Sequence, residues 1–537
     1  MVSSQFLCYD ILSKVFEHLE PGCIPVFDEF PAIVSERQHR QYTLAVSARV
    51  CSAFTAPALD LLWRHAHHFV YLLRLFPTYS DTEECFVGAI GDKDWQRFQE
   101  YASRIRSINA NFCKSIGAPH QEQVWMVLLQ RSQGSPLLPR LEDLTIDVSL
   151  GGLISFLAPS VDSLNVGLPI PWGNAGAGTL LADTVRPHLS HVRTLELNEY
   201  FSPGPGPRRS IAIPKFIDFC ALTHLESLEV VHPVIARRSM IQALMTFPNL
   251  RYLSLVFELC WDERHSLEAS AFPPGFFELR ELDLTASYDD LALFLEVTNP
   301  PRLDILALAR ELEWNEYSRF EDLPRAYAKI PPQLSDLRLR YRVLPENSNV
   351  PGELYTEPQL TLSRVLPPSV YALHDLREVF LQFANVTRTL ENDELAALCS
   401  AWPALEDFEF DGLLYYNDDA TRLPTLDTLL AFARAHPCLR RLTLPGLNPK
   451  GIPDRIELLS AGALRDWPGH GLRLFRLKTY MVGTPLVSLA YAVDRAFPAL
   501  DLGPVRAAKI GSNGDPTDLL LAPLLAFQMS RTLGTTV

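Results

Sequence analysis

From about Pro139 onward the chain repeats one apolar pattern: an apolar residue, two variable residues, an apolar residue, one variable residue, and an apolar residue. It occurs twelve times, starting at Leu141 (LEDLTI), Val161 (VDSLNV), Val192 (VRTLEL), Leu225 (LESLEV), Leu250 (LRYLSL) and Leu279 (LRELDL), then at Leu303 (LDILAL), Leu334 (LSDLRL), Leu376 (LREVFL), Leu405 (LEDFEF), Leu439 (LRRLTL) and Leu472 (LRLFRL). Most starts lie between about 20 and 34 residues apart, a period of stacked repeat architectures. Side chains alternate along a strand, so the fourth and sixth positions of each unit share one face and the third and fifth share the other. The pattern therefore predicts a short strand per unit and a parallel sheet of them.

Between the strands, helical spacing covers residues 240–246, 290–297, 394–401 and 426–435. Several of these segments end at a proline just before the next unit, as at Phe247-Pro248, Trp402-Pro403 and His436-Pro437, where proline stops the helix. A strand plus a crossover helix cannot close its own core, and its neighbours complete it.

Ahead of the repeats, residues 6–20 place Leu7, Ile11, Leu12, Val15, Phe16 and Leu19 at steps of three and four, one face of a helix. In residues 42–63, Leu44, Ala48, Cys51 and Thr55 mark one face and Val46, Val50 and Phe54 another, which predicts a helix sandwiched on two sides. Pro57 fits a first helical position, and Ala58, Leu59, Leu62 and Trp63 continue the apolar face, giving three short helices.

The run FLCYDILSKVFEHLE, a spacer, and then LAVSARVCSAFTAPALDLLW resembles the F-box, especially the F-box-like domains of fungal proteins with degenerate leucine-rich tails. Leu7, Asp10, Ile11, Leu12, Phe16 and Leu19 match its first helix, and Ala48, Arg49, Val50, Cys51, Phe54, Leu59, Leu62 and Trp63 its second part. Where the pattern reads Leu-Pro, this chain has Leu7-Cys8. The twelve units resemble the irregular leucine-rich repeats found behind F-boxes, without the asparagine expected three places after the last apolar position; Ser149, Pro169, Tyr200 and Glu258 stand there instead. Without an asparagine ladder the turns must satisfy their backbone groups in another way.

The resemblance implies an α/β fold: an N-terminal three-helix F-box at residues 1–71, a helical linker or cap at 72–135, an irregular leucine-rich-repeat solenoid at 136–505 and a C-terminal helix and tail at 506–537. It also implies a non-catalytic receptor. Leu7, Ile11, Leu12, Phe16, Val50, Cys51 and Trp63 would meet a Skp-type adaptor and through it a cullin–RING ubiquitin ligase, and the solenoid would hold a protein substrate. Such a small helical piece cannot bury enough apolar area alone, and either a partner or the following domain can complete it. A ligase-independent interaction scaffold is the alternative function.

Composition narrows the class. The 537 residues carry a net charge of −15 and 47% hydrophobic residues, enough for a large core and without a broad cationic surface for nucleic acid. Nine scattered cysteines lack any C-x-x-C spacing, so neither a disulfide framework nor a zinc site is expected. No leader or membrane-length apolar run is present, which predicts a cytoplasmic or nuclear protein.

No catalytic motif or cofactor fingerprint emerges; GNAGAGT at residues 173–179 lacks the lysine of a phosphate loop. The cluster Arg64-His65-Ala66-His67-His68 reads as a solvated helix end rather than a metal site. If the repeats bind a target, the third and fifth strand positions present Tyr252, Glu281, Asp283, Ile305 and Phe380, within an acidic middle with apolar breaks. Past the strands, Trp261 and Trp314 are candidate anchors.

Overall fold

The computed structural model describes residues 3–21, 31–66, 68–109, 120–147, 150–169, 190–200, 222–264, 272–313, 327, 330–344, 362, 366–387, 390–413, 422–448, 452, 469–478, 484–502 and 517–532. The chain divides into two compact units, residues 1–256 and 257–537.

The first unit begins with helices α1 (Ser3–Glu17), α2 (Pro31–Ser47) and α3 (Ser52–Arg64). Their shared core is Phe16, Leu44, Ala48, Ala58 and Leu61, with Leu12, Leu19, Phe54, Leu59 and Leu62 packed around it. The three helices agree with the apolar spacing, but two local expectations fail. The break falls at Cys51, so Pro57 stands inside α3 rather than at its first position. Burial of Pro57, Ala58 and Leu61 offsets the backbone bond that the proline cannot donate. The second helix is not sandwiched: Leu44 and Ala48 are enclosed, whereas Val46 and Val50 are 45% and 65% exposed.

After α3 come β1 (His65–Ala66), α4 (Val70–Leu73), the antiparallel pair β2 (Tyr79–Ser80) and β3 (Cys85–Phe86), α5 (Asp92–Ala102), β4 (Ser107–Asn109) and α6 (His120–Ser132). Residues 72–135 were expected to be mostly helical, yet β1 pairs with β4 and β4 with β5 in parallel, so the ladder starts before the twelve units. Ile105-Arg106-Ser107-Ile108-Asn109-Ala110 carries the same spacing as the later repeats. Phe69 packs on Trp125 and Phe156 at ring distances of 5.4 and 4.8 Å and anchors this segment.

Every one of the twelve units forms a strand that starts two residues after its first apolar position. In the first unit they are β5 (Asp143–Asp147), β6 (Ser163–Pro169), β7 (Thr194–Tyr200) and β8 (Ser227–Ala236), paired in chain order. The strand β9 (Tyr252–Leu259) runs across the division. In the second unit, β10 (Glu281–Thr285), β11 (Ile305–Glu313), β12 (Asp336–Leu344), β13 (Glu378–Thr387), β14 (Asp407–Leu413), β15 (Arg441–Leu444) and β16 (Leu474–Leu477) pair in parallel one after another. Leu282, Leu306, Leu337, Val379, Phe408 and Leu442 stand side by side in that register, all buried.

The helices expected between strands are Arg238–Met245, Tyr288–Thr298, Asn392–Leu398 and Leu426–Ala435. Asp289 and Asp290 occupy the first turn of the second, where the helix dipole favours them. The C-terminal helix expected within residues 506–537 is Thr517–Thr532; its Arg531 reaches Asp494 at 3.2 Å on helix Leu486–Ala496.

Two ladders replace the missing asparagines. The carbonyl just before most of the repeat strands accepts two N–H groups from the next repeat: Arg280 O from Asp304 and Ile305, both at 2.9 Å, and Glu406 O from Arg440 at 2.6 Å and Arg441 at 3.1 Å. At the helix-to-strand turns, ring nitrogens reach carbonyls of the preceding repeat: Trp402 Nε1 donates to Val370 O at 3.0 Å, His436 Nε2 lies 2.9 Å from Ala401 O, and His470 Nε2 lies 3.0 Å from His436 O. Buried backbone polar groups are thereby paired from repeat to repeat.

Candidate functional site

Two surfaces stand out, one on the helices and one on the strands. On α1, Ile11 and Val15 are 60% and 55% exposed, one turn apart. On α2 and the turn after it, Tyr42, Val46 and Val50 repeat at steps of four, all exposed. The helical core is already closed beneath them, so these side chains form apolar stripes in excess of what folding the module uses.

The expected adaptor residues divide accordingly. Ile11 and Val50 face solvent, and Cys51 is exposed at the position before α3, with extended backbone. Phe16 does not: it is 5% exposed, edge-on to Phe54 at 5.5 Å, and holds the module together. Leu12 packs against the same core. Trp63 turns toward the chain's own α5, its ring 4.9 Å from Tyr101. Leu7 lies on α1, with its side chain outside the described set.

On the strand side of the second unit, the third, fifth and seventh positions build a charged face. Arg338 reaches Asp336 at 2.5 Å and Glu281 at 3.8 Å, and Arg340 reaches Asp283 at 3.3 Å. Both arginines cross over β11, where the small Ala307 and Ala309 hold the intervening register. Arg441 meets Asp407 at 2.5 Å and Glu378 at 3.7 Å, and Lys478 meets Glu409 at 3.4 Å and Asp411 at 3.5 Å. Seven carboxylates are thus paired by four cations.

Asp336, Glu378 and Asp407 stand in one register on adjacent strands. Burial, only partly opposed by Arg441 and reinforced by Glu378, pushes the Asp407 carboxyl from 3.8 up to about 6. Burial likewise raises Glu281, Asp283 and Asp336 against the pull of their arginines. With Phe380 and Val379 as apolar lining, the groups around Asp407 enclose a cavity of about 290 Å3.

Of the expected target-binding residues, Glu281, Asp283, Ile305 and Phe380 come together on this face, each partly buried. Tyr252 opens β9 in the first unit. Trp314 and the Trp261 side chain lie outside the described residues, as does the glycine-rich segment 173–179. Sequence reading missed Arg340, Asp411 and Lys478, at the seventh position; the signal was the alternation L-R-L-R-Y-R that continues past the sixth position in β12.

His65 is a strand residue near Glu20, its Nε2 3.1 Å from Oε1. Among the described residues no group of three or more His, Cys, Asp or Glu is placed to hold a metal ion. No described helix is long and apolar enough to cross a membrane.

No family model matches the chain, and no curated protein matches it. Among solved structures it is similar to the leucine-rich repeat-containing protein LegL7 from Legionella pneumophila, with 16% identity over 73% of this chain and 88% of that one and a TM-score of 0.25. A likeness that loose carries no argument. The twelve units and their one-strand-per-repeat parallel ladders define an α/β fold of leucine-rich-repeat type.

Proposed function

We propose that this chain is the substrate-recognition subunit of a Skp–cullin–F-box type ubiquitin ligase, docking the adaptor through α1 to α3 and a target protein through the strand face. The observation that supports the first half is the surplus apolar surface. Ile11, Val15, Val46 and Val50 stay exposed on a module whose own core, Phe16, Leu44, Ala58 and Leu61, is enclosed. Matched against the F-box pattern, Ile11 and Val50 are positions that meet the adaptor. The second half draws on the charged face, where carboxylates outnumber cations around the apolar Phe380, a chemistry suited to a basic protein segment. The chain itself would do no chemistry, and ubiquitin transfer would belong to partner subunits.

The test is capture of a Skp-type adaptor and cullin by the full chain. Ile11→Asp changes an exposed residue, so the fold should lose no more than about 0.5 kcal/mol. Adaptor capture should fall at least about tenfold, because the new carboxylate would be buried unpaired in the interface. Capture that survives Ile11→Asp and Val50→Asp would remove these stripes from the reading. If the wild-type chain captures no adaptor at all, the charged face favours the second reading, a ligase-independent interaction scaffold.

A further inference from the structure

A second cavity, of about 330 Å3, lies in the first unit where α1 and α3 meet the segments leading into β4 and β5. Its size is at the small end of the roughly 300–1,000 Å3 range of small-molecule pockets. Four arginines line it, Arg64, Arg104, Arg106 and Arg140, with the hydroxyls of Ser13 and Ser103. That concentration of guanidinium groups is unexpected in a chain of net charge −15.

Three of the arginines are committed through a single nitrogen. Arg64 uses Nη1 on Glu20 at 3.0 Å, Arg106 uses Nη1 on Glu142 at 3.0 Å and on the Arg140 carbonyl at 3.3 Å, and Arg104 uses Nη1 on Asp60 and on the Ala56 carbonyl at 3.4 Å. Their Nε and Nη2 donors make no hydrogen bond to another described residue. Arg140 makes no side-chain hydrogen bond or ion pair among the described residues. The wall's two carboxylates are already matched: Glu17 by Lys14 at 3.0 Å, and Asp60 by Arg104 and by the Tyr9 hydroxyl at 2.6 Å. The cavity therefore gathers unspent guanidinium donors, one whole side chain among them, and among the described residues no unmatched acid lines it.

We propose that this cavity binds a small phosphate-bearing anion, held by Arg140 and by the free donors of Arg64, Arg104 and Arg106. Guanidinium forks match phosphate oxygens two at a time, and several converging on one polar cavity suit a multiply charged anion better than a single carboxylate. Because α1 supplies Tyr9, Ser13 and Glu17 to this wall and turns Ile11 and Val15 to solvent, an anion here would brace the helix from behind. The proposal stands independently of any adaptor.

The probe is inorganic pyrophosphate titrated into the full chain by calorimetry, against sulfate and against sodium chloride at matched ionic strength. One saturable site is expected for pyrophosphate, tighter than for sulfate. Arg140→Gln and Arg106→Gln should each weaken it about tenfold, the loss of a charge-assisted hydrogen bond, while Arg280→Gln in the second unit should leave it unchanged. Arg140 is exposed and unpaired among the described residues, so its variant should melt with the unliganded wild type. Absence of a saturable site, sulfate binding as tightly as pyrophosphate, or equal affinity in the wild type and both cavity variants would each overturn the proposal.

Discussion

The helical module and the strand face of the second unit sort the same kinds of side chain in opposite ways. On the strands, the register from Leu282 to Leu442 is apolar and buried throughout, and the outward positions are mostly paired charges with Ile305 and Phe380 among them. On the helices, the core closes on Phe16, Leu44 and Leu61 and yet Ile11, Val15 and Val46 remain outside. A strand has two faces, so alternation assigns every side chain to one or the other. A helix has a full circumference, and one stripe about 100° wide is enough for packing. Apolar residues off that stripe lie outside the module's core, and this is what makes the module's outer surface informative.

The largest effect is expected in the repeat core. Trp402 is fully enclosed, and its ring N–H is bonded to Val370 O of the preceding repeat at 3.0 Å. Trp402→Ala should cost about 3–5 kcal/mol through the cavity left behind, with the orphaned carbonyl adding to it, read as a fall in the denaturant midpoint. Ile11→Ala on the module should move that midpoint little. Similar losses at both positions would mean that the exposed stripe is structural after all and would dissolve the contrast.

Why the strands were legible and the sites less so follows from the same physics. The six-residue pattern located a strand in each of the twelve units and assigned its faces, because period-two alternation leaves no freedom of face, though it did not fix where each strand ends. It passed over Ile105 because the basic run Arg104 to Arg106 follows a strong helical pattern. The helices were found but not their faces: Val46 and Val50 have the spacing of a buried stripe, and only α3 packing on Leu44 and Ala48 decides that they are not one. Phe16 and Trp63 matched a docking pattern by residue type, but large aromatics are also the best core fillers, and here both are used for packing. The ion pairs of the strand face join residues far apart in sequence, 57 positions for Arg340 with Asp283 and more for Lys478 with Glu409, and no local pattern reports them.

An intermediate effect belongs to the carboxylate register. Asp407 holds its proton up to about pH 6 in the folded chain against an ordinary 3.8. The folded state thus binds that proton more tightly, a contribution fully present below about 3.8 and lost as pH rises through 6. At pH 7.5 the ionised group is a cost, about 1.4 kcal/mol for each tenfold difference in proton affinity between the folded and unfolded chain. Asp407→Asn should therefore stabilise the chain at pH 7.5 by about 1–3 kcal/mol, and about half of that gain should remain at pH 5. Denaturant titrations at the two pH values read the difference. A loss of stability at pH 7.5 would mean that Arg441 outweighs burial and the neighbouring Glu378, and the face would then be a structural brace.

The smallest effect tests whether the paired charges serve folding at all. Lys478 sits 3.4 Å from Glu409 and 3.5 Å from Asp411, and all three side chains are about one-third exposed. Pairs of that kind contribute about 0–1 kcal/mol and are screened by salt. Lys478→Met should lower stability by less than about 1 kcal/mol, with the difference shrinking further in high salt. The same change leaves Glu409 and Asp411 without their cation, so capture of a basic target segment should strengthen and its salt dependence should steepen. A stability loss of several kcal/mol without any change in capture would assign the strand-face charges to folding, and only the helical stripes would then remain as a surface in excess of what the fold uses.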